Sequence, residues 1–137
     1  MSTKLYRGNR LAVILPCYNE VLVIANVIAA FRAALPEAEI HVFDNDSSDG
    51  TAAAAQSAGA HVRSVTQRGK GNVVRRMFAD IEADIYVMAD GDGTYDAGQS
   101  QALVDRLLDD GLDMVVGTRQ PVGDGGEDRL GHAWGNR

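Results

Sequence analysis

The fold is decided by residues 84–96, Asp84-Ile85-Tyr86-Val87-Met88-Ala89-Asp90-Gly91-Asp92-Gly93-Thr94-Tyr95-Asp96. An apolar run, Ile85 to Ala89, ends in two carboxylates, Asp90 and Asp92, with a single glycine between them. A short apolar run followed by glycines predicts a strand buried in a parallel sheet. Ligands of open α/β sheets bind just outside the carboxyl ends of the strands. Asp90 and Asp92 are therefore predicted to lie where a polyanion and its metal ion could be held.

Strands and helices are predicted to alternate along the rest of the chain. Short apolar runs predict strands over residues 11–15, 40–43, 61–65, 85–89 and 112–116. Apolar residues at helical spacing predict helices over 24–35, 52–58 and 97–110, and one that opens at 69–71 and buries Val74, Met77, Phe78 and Ile81. This alternation indicates an α/β domain, a mostly parallel sheet with helices on both faces.

The loops that follow the strands are predicted to meet at one edge of the sheet, because crossover connections are right-handed. These loops are residues 16–20, 44–50, 68–71, 90–96 and 117–119. They hold nearly every unusual polar residue of the chain. Their convergence is a stronger indication of a binding site than any single motif.

Asp90 and Asp92 have the chemistry of a divalent metal site. Mg²⁺ or Mn²⁺ prefers oxygen ligands, and Mg²⁺ commonly takes one or two carboxylates together with substrate phosphates. Two neighbouring carboxylates repel each other unless a cation offsets their charge. The alternative is a glycine-rich turn with solvated aspartates.

The loop after the first strand offers groups for a nucleoside. Tyr18 has a flat face for stacking, and Asn19 and Glu20 offer hydrogen-bonding groups. The alternative makes Asn19 a helix N-cap and Glu20 a first-turn acid stabilised by the helix dipole. Cys17 is predicted to be a small core residue, since no histidine lies near it in the sequence.

The loop after the second strand is acidic, which favours a base or ribose over phosphate as its ligand. Asp44, the first residue past the predicted strand, can accept a hydrogen bond from a base N–H. Asp49 and Thr51 are expected to shape the turn and the first turn of the following helix.

Basic side chains could bind phosphates at the same edge. Lys70 and Arg68 could face a nucleotide, although a helix-start loop explains them equally well and no Walker sequence is present. Arg119, one step past the fifth predicted strand, could grip phosphates with its planar guanidinium. His132 and Trp134 are expected to be packing residues.

Composition limits the class of protein. The 137 residues suit a single domain, and a formal charge of −6 argues against nucleic acid as a partner. The sequence has one cysteine, no apolar run near the ~20 residues of a membrane span and no signal peptide, so a cytoplasmic location is expected. Residues 120–137 are rich in glycine and charge and look like the start of an incomplete acceptor-side region of a longer protein.

Five motifs together resemble family 2 glycosyltransferases, and more narrowly the branch that makes dolichyl- or polyprenyl-phosphate sugars. In order they are Leu15-Pro16-Cys17-Tyr18-Asn19-Glu20, residues 44–51, Gly69-Lys70-Gly71, Asp90-Gly91-Asp92 and Val116-Gly117-Thr118-Arg119. The resemblance covers almost the whole chain. It implies the GT-A fold, a Rossmann-like sheet that binds a nucleotide-sugar with Mg²⁺ or Mn²⁺.

The family pattern also implies roles for individual residues. Those that match substrate-binding or catalytic positions are Pro16, Tyr18 and Glu20 in the nucleoside pocket, Asp44 at the base, Asp90 near ribose and metal, Asp92 as main metal carboxylate, and Arg119 near the phosphates. Asn45 and Asp46 depart from the family pattern, and Thr94 stands where relatives often carry Gln or Ser near the metal.

The implied reaction is an inverting displacement at the anomeric carbon of a UDP- or GDP-sugar. A polyprenyl phosphate acceptor is already anionic and needs no general base, and the full-length protein would then work peripherally at the inner face of the membrane. The competing hypothesis is a donor-binding fragment without activity of its own. A receiver module would need an acidic pair after the first strand, and a dehydrogenase would need Gly-x-Gly-x-x-Gly there; neither is present.

Overall fold

The computed structural model describes residues 4–66, 70–112, 114–115 and 133–134, and the structural statements below concern these residues. Their elements, in chain order, are β1 (Leu11–Cys17), α1 (Ile24–Ala34), β2 (Glu39–Asp44), α2 (Thr51–Ser57), β3 (His61–Ser64), α3 (Lys70–Asp80), β4 (Ile85–Met88), a 3₁₀ turn (Ala97–Gln99), α4 (Ser100–Asp109), β5 (Met114–Val115) and β6 (Ala133–Trp134). Four parallel strands form the main sheet in the order β3-β2-β1-β4. The predicted α/β class is confirmed.

Strand β1 lies at the centre of the sheet, and all seven of its residues are buried. Alternate side chains of a strand point to opposite faces. Leu11, Val13 and Leu15 pack in a core that includes α1, whereas Ala12 and Ile14 pack in a second core that includes α3. Because helices cover both faces, the sequence of β1 is a continuous apolar run rather than an alternating one.

Helices α1 and α3 reach the sheet through side chains at helical spacing. Ile24, Ile28 and Phe31 of α1 are at most 1% exposed, and burial of each such side chain contributes roughly 1.5–3 kcal/mol. On α3, Met77 is buried as predicted, but the prediction for Phe78 is wrong. Phe78 is 62% exposed, and its ring packs edge-on against Tyr86.

Strand β1 continues through Pro16 to Cys17, beyond the end predicted at residue 15. The Pro16 carbonyl accepts a hydrogen bond from Gly91 N at 3.1 Å. In a parallel strand the N–H and C=O of one residue point to the same side, so the N–H that proline lacks would face β4. The register of β4 with β1 ends at Met88. Proline is therefore tolerated here because it lies where that ladder has already ended.

The fifth predicted strand does not join the parallel sheet among the described residues. Two of its described residues, Met114–Val115, pair antiparallel with Ala133–Trp134 in a separate two-stranded sheet. Two residues are too few to show a period, so the sequence pattern could not predict β6. The predicted region at 120–137 otherwise lies outside the described residues, as does Arg119.

None of the helices in the described ranges combines the length and apolar character needed to cross a membrane. The longest, α1 and α3, have 11 residues each. Helices of that length with one apolar face typically pack against a protein core.

His41 of β2 is a buried titratable group at the far side of the sheet from β4. It is 5% exposed, and its ring stacks on His61 of β3 with 4.9 Å between centroids. Burial lowers the pKa of His41; the nearby His61 and Arg63 act in the same direction, and the contact with Glu39 opposes them. The neutral imidazole is therefore the form that the folded protein prefers.

The free energy of unfolding is expected to fall as the pH drops below about 6.5, the ordinary pKa of histidine. The folded-state pKa of His41 is lowered, so the unfolded chain takes up the proton first and acid favours unfolding. One proton accounts for at most about 1.4 kcal/mol per pH unit. Urea unfolding of the wild type and of His41→Phe between pH 7.5 and 5.5 measures this, and the variant should show a flatter profile. Equal slopes in both proteins would contradict the assignment.

Candidate functional site

The ends of β1, β2 and β4 lie together at the carboxyl edge of the sheet. Backbone hydrogen bonds join the loops that follow them: Asn45 N donates to Cys17 O at 2.8 Å, and Gly91 N donates to Pro16 O. The predicted convergence of these loops is confirmed. Pro16 is buried within β1, and Tyr18, one residue beyond the strand, is 43% exposed at the edge.

Cys17 lies at the centre of this edge and is 3% exposed. The pKa of its thiol is raised to about 12, chiefly by burial and then by the negative charges of Glu20, Asp44, Asp90 and Asp92, in decreasing order. The thiol is thus protonated at neutral pH, and it lies against Leu15 O at 3.4 Å. Cys17 is a core residue, as predicted, and the negative charges of all four carboxylates act on its thiol.

Gly91 separates the two aspartates and packs directly against Cys17. A Cβ atom at Gly91 would lie 2.3 Å from Cys17 Sγ and 3.4 Å from Pro16 O. Real Cβ contacts are not that short, so glycine is required by the close approach of the loop to β1. The loop that carries Asp90 and Asp92 therefore packs closely against the end of β1. Gly93, by contrast, has a φ of 81° and supplies a turn.

Thr94 holds the Asp92 carboxylate. Asp92 Oδ1 accepts hydrogen bonds from Thr94 N at 3.0 Å and from Thr94 Oγ1 at 2.7 Å. Two donors on one oxygen fix the orientation of a carboxylate that is only partly buried. Asp96, farther along the same loop, accepts from Gly98 N at 2.9 Å and caps the 3₁₀ turn.

Asn19 joins the loop after β1 to the loop after β2. Asn19 N donates to Ser47 Oγ at 2.7 Å, and Ser48 N donates to Asn19 Oδ1 at 2.9 Å. Asn19 has a φ of 54°, a conformation that asparagine adopts more readily than most residues. The alternative that made Asn19 the N-cap is wrong, because α1 begins at Ile24.

Thr51 and Asp49 complete the connection between these two loops. Glu20 N donates to the fully buried Thr51 Oγ1 at 2.8 Å, and Val21 N donates to Asp49 Oδ2 at 3.2 Å. Hydrogen bonds from Thr51 are the largest cause that lowers the pKa of the exposed Asp49 carboxyl. The prediction that Asp49 and Thr51 shape the turn is confirmed.

Asp44 ends β2 as a buried acceptor. Its side chain is 5% exposed; Oδ2 accepts from Ser47 N at 3.4 Å, while Oδ1 has no hydrogen-bond partner within the described part of the chain. A buried carboxylate oxygen without a partner is costly. An N–H from a nucleobase is the kind of donor that would satisfy it, which fits the role predicted for Asp44.

The electrostatics of the edge fit a divalent cation. Burial raises the pKa of Glu20, and Asp92, Asp49 and Asp90 raise it further in that order. Within the described ranges, no three acidic, histidine or cysteine side chains converge as a complete ligand set. A hard cation held by one or two carboxylates takes phosphates and water as its other ligands. The assignment of Asp90 and Asp92 as ligands of Mg²⁺ or Mn²⁺ stays a prediction.

Of the three basic residues predicted at the site, one lies within the described residues. Lys70 is the first residue of α3. Arg119 and Arg68 lie outside the described residues. The proposed contacts of these side chains with phosphates stay predictions.

Sequence reasoning missed the roles of two residues in positioning the site. The bond from Thr94 to Asp92 has a local signal, because an aspartate often accepts from the residue two positions later. Asn19 gave no comparable signal, since its partners lie 28 and 29 residues away.

The chain matches the model of glycosyl transferase family 2 over residues 12–134. It therefore belongs to glycosyl transferase family 2, and the predicted enzyme class is confirmed. Protein RfbJ of Shigella flexneri is 54% identical over 128 residues, which are 93% of this chain and 99% of RfbJ. The undecaprenyl-phosphate mannosyltransferase of Micrococcus luteus is 29% identical over 123 residues, 83% of this chain and 50% of that protein.

Two solved glycosyltransferases share the fold. Glucosyl-3-phosphoglycerate synthase of Mycobacterium tuberculosis, with Mn²⁺ and UDP-glucose, has a TM-score of 0.65 and 31% identity over 74% of this chain and 40% of its own. Mannosyltransferase PcManGT of Pyrobaculum calidifontis, with GDP-Man and Mn²⁺, has a TM-score of 0.68 and 25% identity over 82% of this chain and 36% of its own. The predicted GT-A type of fold is confirmed, and this chain spans less than half of either protein.

Proposed function

We propose that this protein transfers a sugar from a UDP- or GDP-sugar to a polyprenyl phosphate with the help of Mg²⁺ or Mn²⁺. The observation that supports it best is that the loops carrying Glu20, Asp44, Asp90 and Asp92 meet at the carboxyl edge of the sheet. Backbone hydrogen bonds from Asn45 N to Cys17 O and from Gly91 N to Pro16 O join these loops. Membership of glycosyl transferase family 2 supports it.

The nucleoside would bind between the first two loops. Asp44 Oδ1, buried at the end of β2, would accept a hydrogen bond from a base N–H. Pro16, Tyr18 and Glu20 would line the same pocket, whose walls are held together by the bonds of Asn19 and Thr51. Lys70, at the start of α3, would face the phosphates.

Asp90 and Asp92 would hold the cation, which neutralises charge on the departing diphosphate. Thr94 already holds one Asp92 oxygen in place. Glu20, whose pKa is raised by burial and by both aspartates, would then lie beside a neutralised pair. Arg119 is the further cationic residue proposed to act on the phosphates.

The reaction would be a single displacement. An oxygen of the acceptor phosphate attacks the anomeric carbon while the bond from that carbon to the diphosphate oxygen breaks, and the nucleoside diphosphate leaves with the electron pair. The configuration is inverted. An anionic phosphate needs no general base, and Asp96, the acid that follows Asp92 most closely, already caps the 3₁₀ turn. Similarity to an undecaprenyl-phosphate mannosyltransferase supports this class of acceptor, and work at the inner face of the membrane would follow from it.

A transfer assay tests the proposal. UDP- and GDP-sugars are incubated with Mn²⁺ and detergent-dispersed polyprenyl phosphate, and lipid-linked sugar and released nucleoside diphosphate are measured. Both products are expected in equal amounts with polyprenyl phosphate and neither with the matched polyprenol. Transfer to polyprenol would contradict the phosphate acceptor, and nucleotide binding without any transfer would favour a donor-binding module.

A further inference from the structure

We propose that Thr94 is a positioning residue that orients the Asp92 carboxylate toward the cation, rather than a ligand of the cation itself. This inference rests on the proposed function, because it concerns the metal site proposed there at Asp90 and Asp92. Its basis is that the backbone N–H and the hydroxyl of Thr94 both donate to the same oxygen, Asp92 Oδ1, at 3.0 and 2.7 Å.

The hydroxyl of threonine has one proton to donate, and here that proton is directed to Asp92. The same geometry recurs at the other loop of the edge, where Thr51 N and Oγ1 both donate to Asp49 Oδ1 at 3.0 and 2.5 Å. Each pair has the spacing Asp-x-Thr, and such short side chains commonly bond to groups two residues away. The local sequence therefore specifies the contact without any need for a cation.

Two glycines flank Asp92 in the loop. Asp92 lies between Gly91, which packs against Cys17, and Gly93, whose φ is 81°. Neither glycine has a side chain that could restrain the carboxylate. Thr94 is exposed, so its replacement removes a hydrogen bond but little buried surface, and the fold is expected to persist.

The test compares Thr94→Val with Thr94→Ser. Valine keeps the shape and the backbone donor but removes the hydroxyl, whereas serine keeps the hydroxyl. Mn²⁺ binding is measured by the electron paramagnetic resonance signal of free Mn²⁺, with and without UDP or GDP. We expect Thr94→Val to bind Mn²⁺ on the order of 10-fold more weakly in the presence of nucleotide, the cost typical for loss of a group that supports a ligand. Thr94→Ser should stay close to the wild type, and thermal unfolding checks that both variants fold.

A crystal structure of the wild type with Mn²⁺ and UDP separates positioning from ligation. The Thr94 hydroxyl should remain on Asp92 Oδ1, whereas a Thr94 oxygen at about 2.1 Å from the metal, a direct-ligand distance, would overturn the proposal. Unchanged Mn²⁺ affinity in Thr94→Val would also overturn it while leaving the metal site intact. If nucleotide does not promote Mn²⁺ binding by the wild type, the proposed function is wrong, and so is the positioning role proposed for Thr94.

Discussion

Replacing Asp92 with alanine is expected to abolish metal-dependent binding of nucleotide. Asp92 is fixed by two hydrogen bonds from Thr94 at the end of β4, and its charge is one of those that raise the pKa of Glu20. With this carboxylate removed, Asp90 remains as the single acid of the pair to hold the cation. Isothermal titration of UDP and GDP in the presence of Mn²⁺ should show an affinity lower by at least about 100-fold, or roughly 2.7 kcal/mol.

Asp96→Ala is the matched control for that experiment. It removes the same charge from the same loop, but Asp96 caps the 3₁₀ turn through Gly98 N. Its loss should lower the free energy of unfolding by about 1 kcal/mol, the usual cost of a lost cap, and leave nucleotide affinity nearly unchanged. Undiminished Mn²⁺-dependent binding by Asp92→Ala would show that the cation binds elsewhere.

Replacing Gly91 with alanine is expected to disturb both the fold and the site. The new Cβ would lie 2.3 Å from Cys17 Sγ, and both residues are buried. Overpacking of this kind typically costs about 1–3 kcal/mol. Because the loop between Asp90 and Asp92 must then move away from β1, Mn²⁺-dependent nucleotide affinity should fall together with the free energy of unfolding. Urea unfolding and isothermal titration measure the two effects.

The double variant Cys17→Ala/Gly91→Ala identifies the cause. Removal of Sγ opens the space that the new Cβ needs, so the two substitutions should be less destabilising together than their sum by about 1 kcal/mol or more. Gly71→Ala is the control for glycine replacement in general, because nothing lies within 4 Å of a Cβ at that position. Strict additivity of the Cys17 and Gly91 effects would refute the steric explanation.

The order of the strands and helices could be predicted because each depends on a local period. The apolar run of β1 reflects a strand that must be buried. The helical spacing of Ile24, Ile28 and Phe31 reflects one buried face of α1. Predictions failed where contacts between distant segments decide the outcome. Phe78 lies at a position that helical spacing assigns to the core, yet α3 packs through Val73 and Met77 instead, followed by Ile81 just past its end. The pairing of β5 with β6 has no local pattern.

The convergence of the loops after β1, β2 and β4 could also be predicted, since topology alone brings the ends of these strands to one edge. What the sequence did not reveal is how the site is held. The contact of Gly91 with Cys17 and the bonds of Asn19 to Ser47 and Ser48 join loops that are far apart in the chain. Such contacts depend on tertiary packing, so no local spacing in the sequence predicts them.

We propose that a cation and a nucleotide bind together at the carboxyl edge of the sheet. The decisive measurement is paramagnetic broadening of the backbone amide signals by Mn²⁺, added with UDP or GDP to isotope-labelled protein and referenced to Mg²⁺. The amides of Gly91, Gly93 and Thr94 should broaden first, while those of Glu39 and Asp84, acids at the opposite edge, stay sharp. Broadening that begins at Glu39 or Asp84, or that spreads evenly over the chain, would contradict the account.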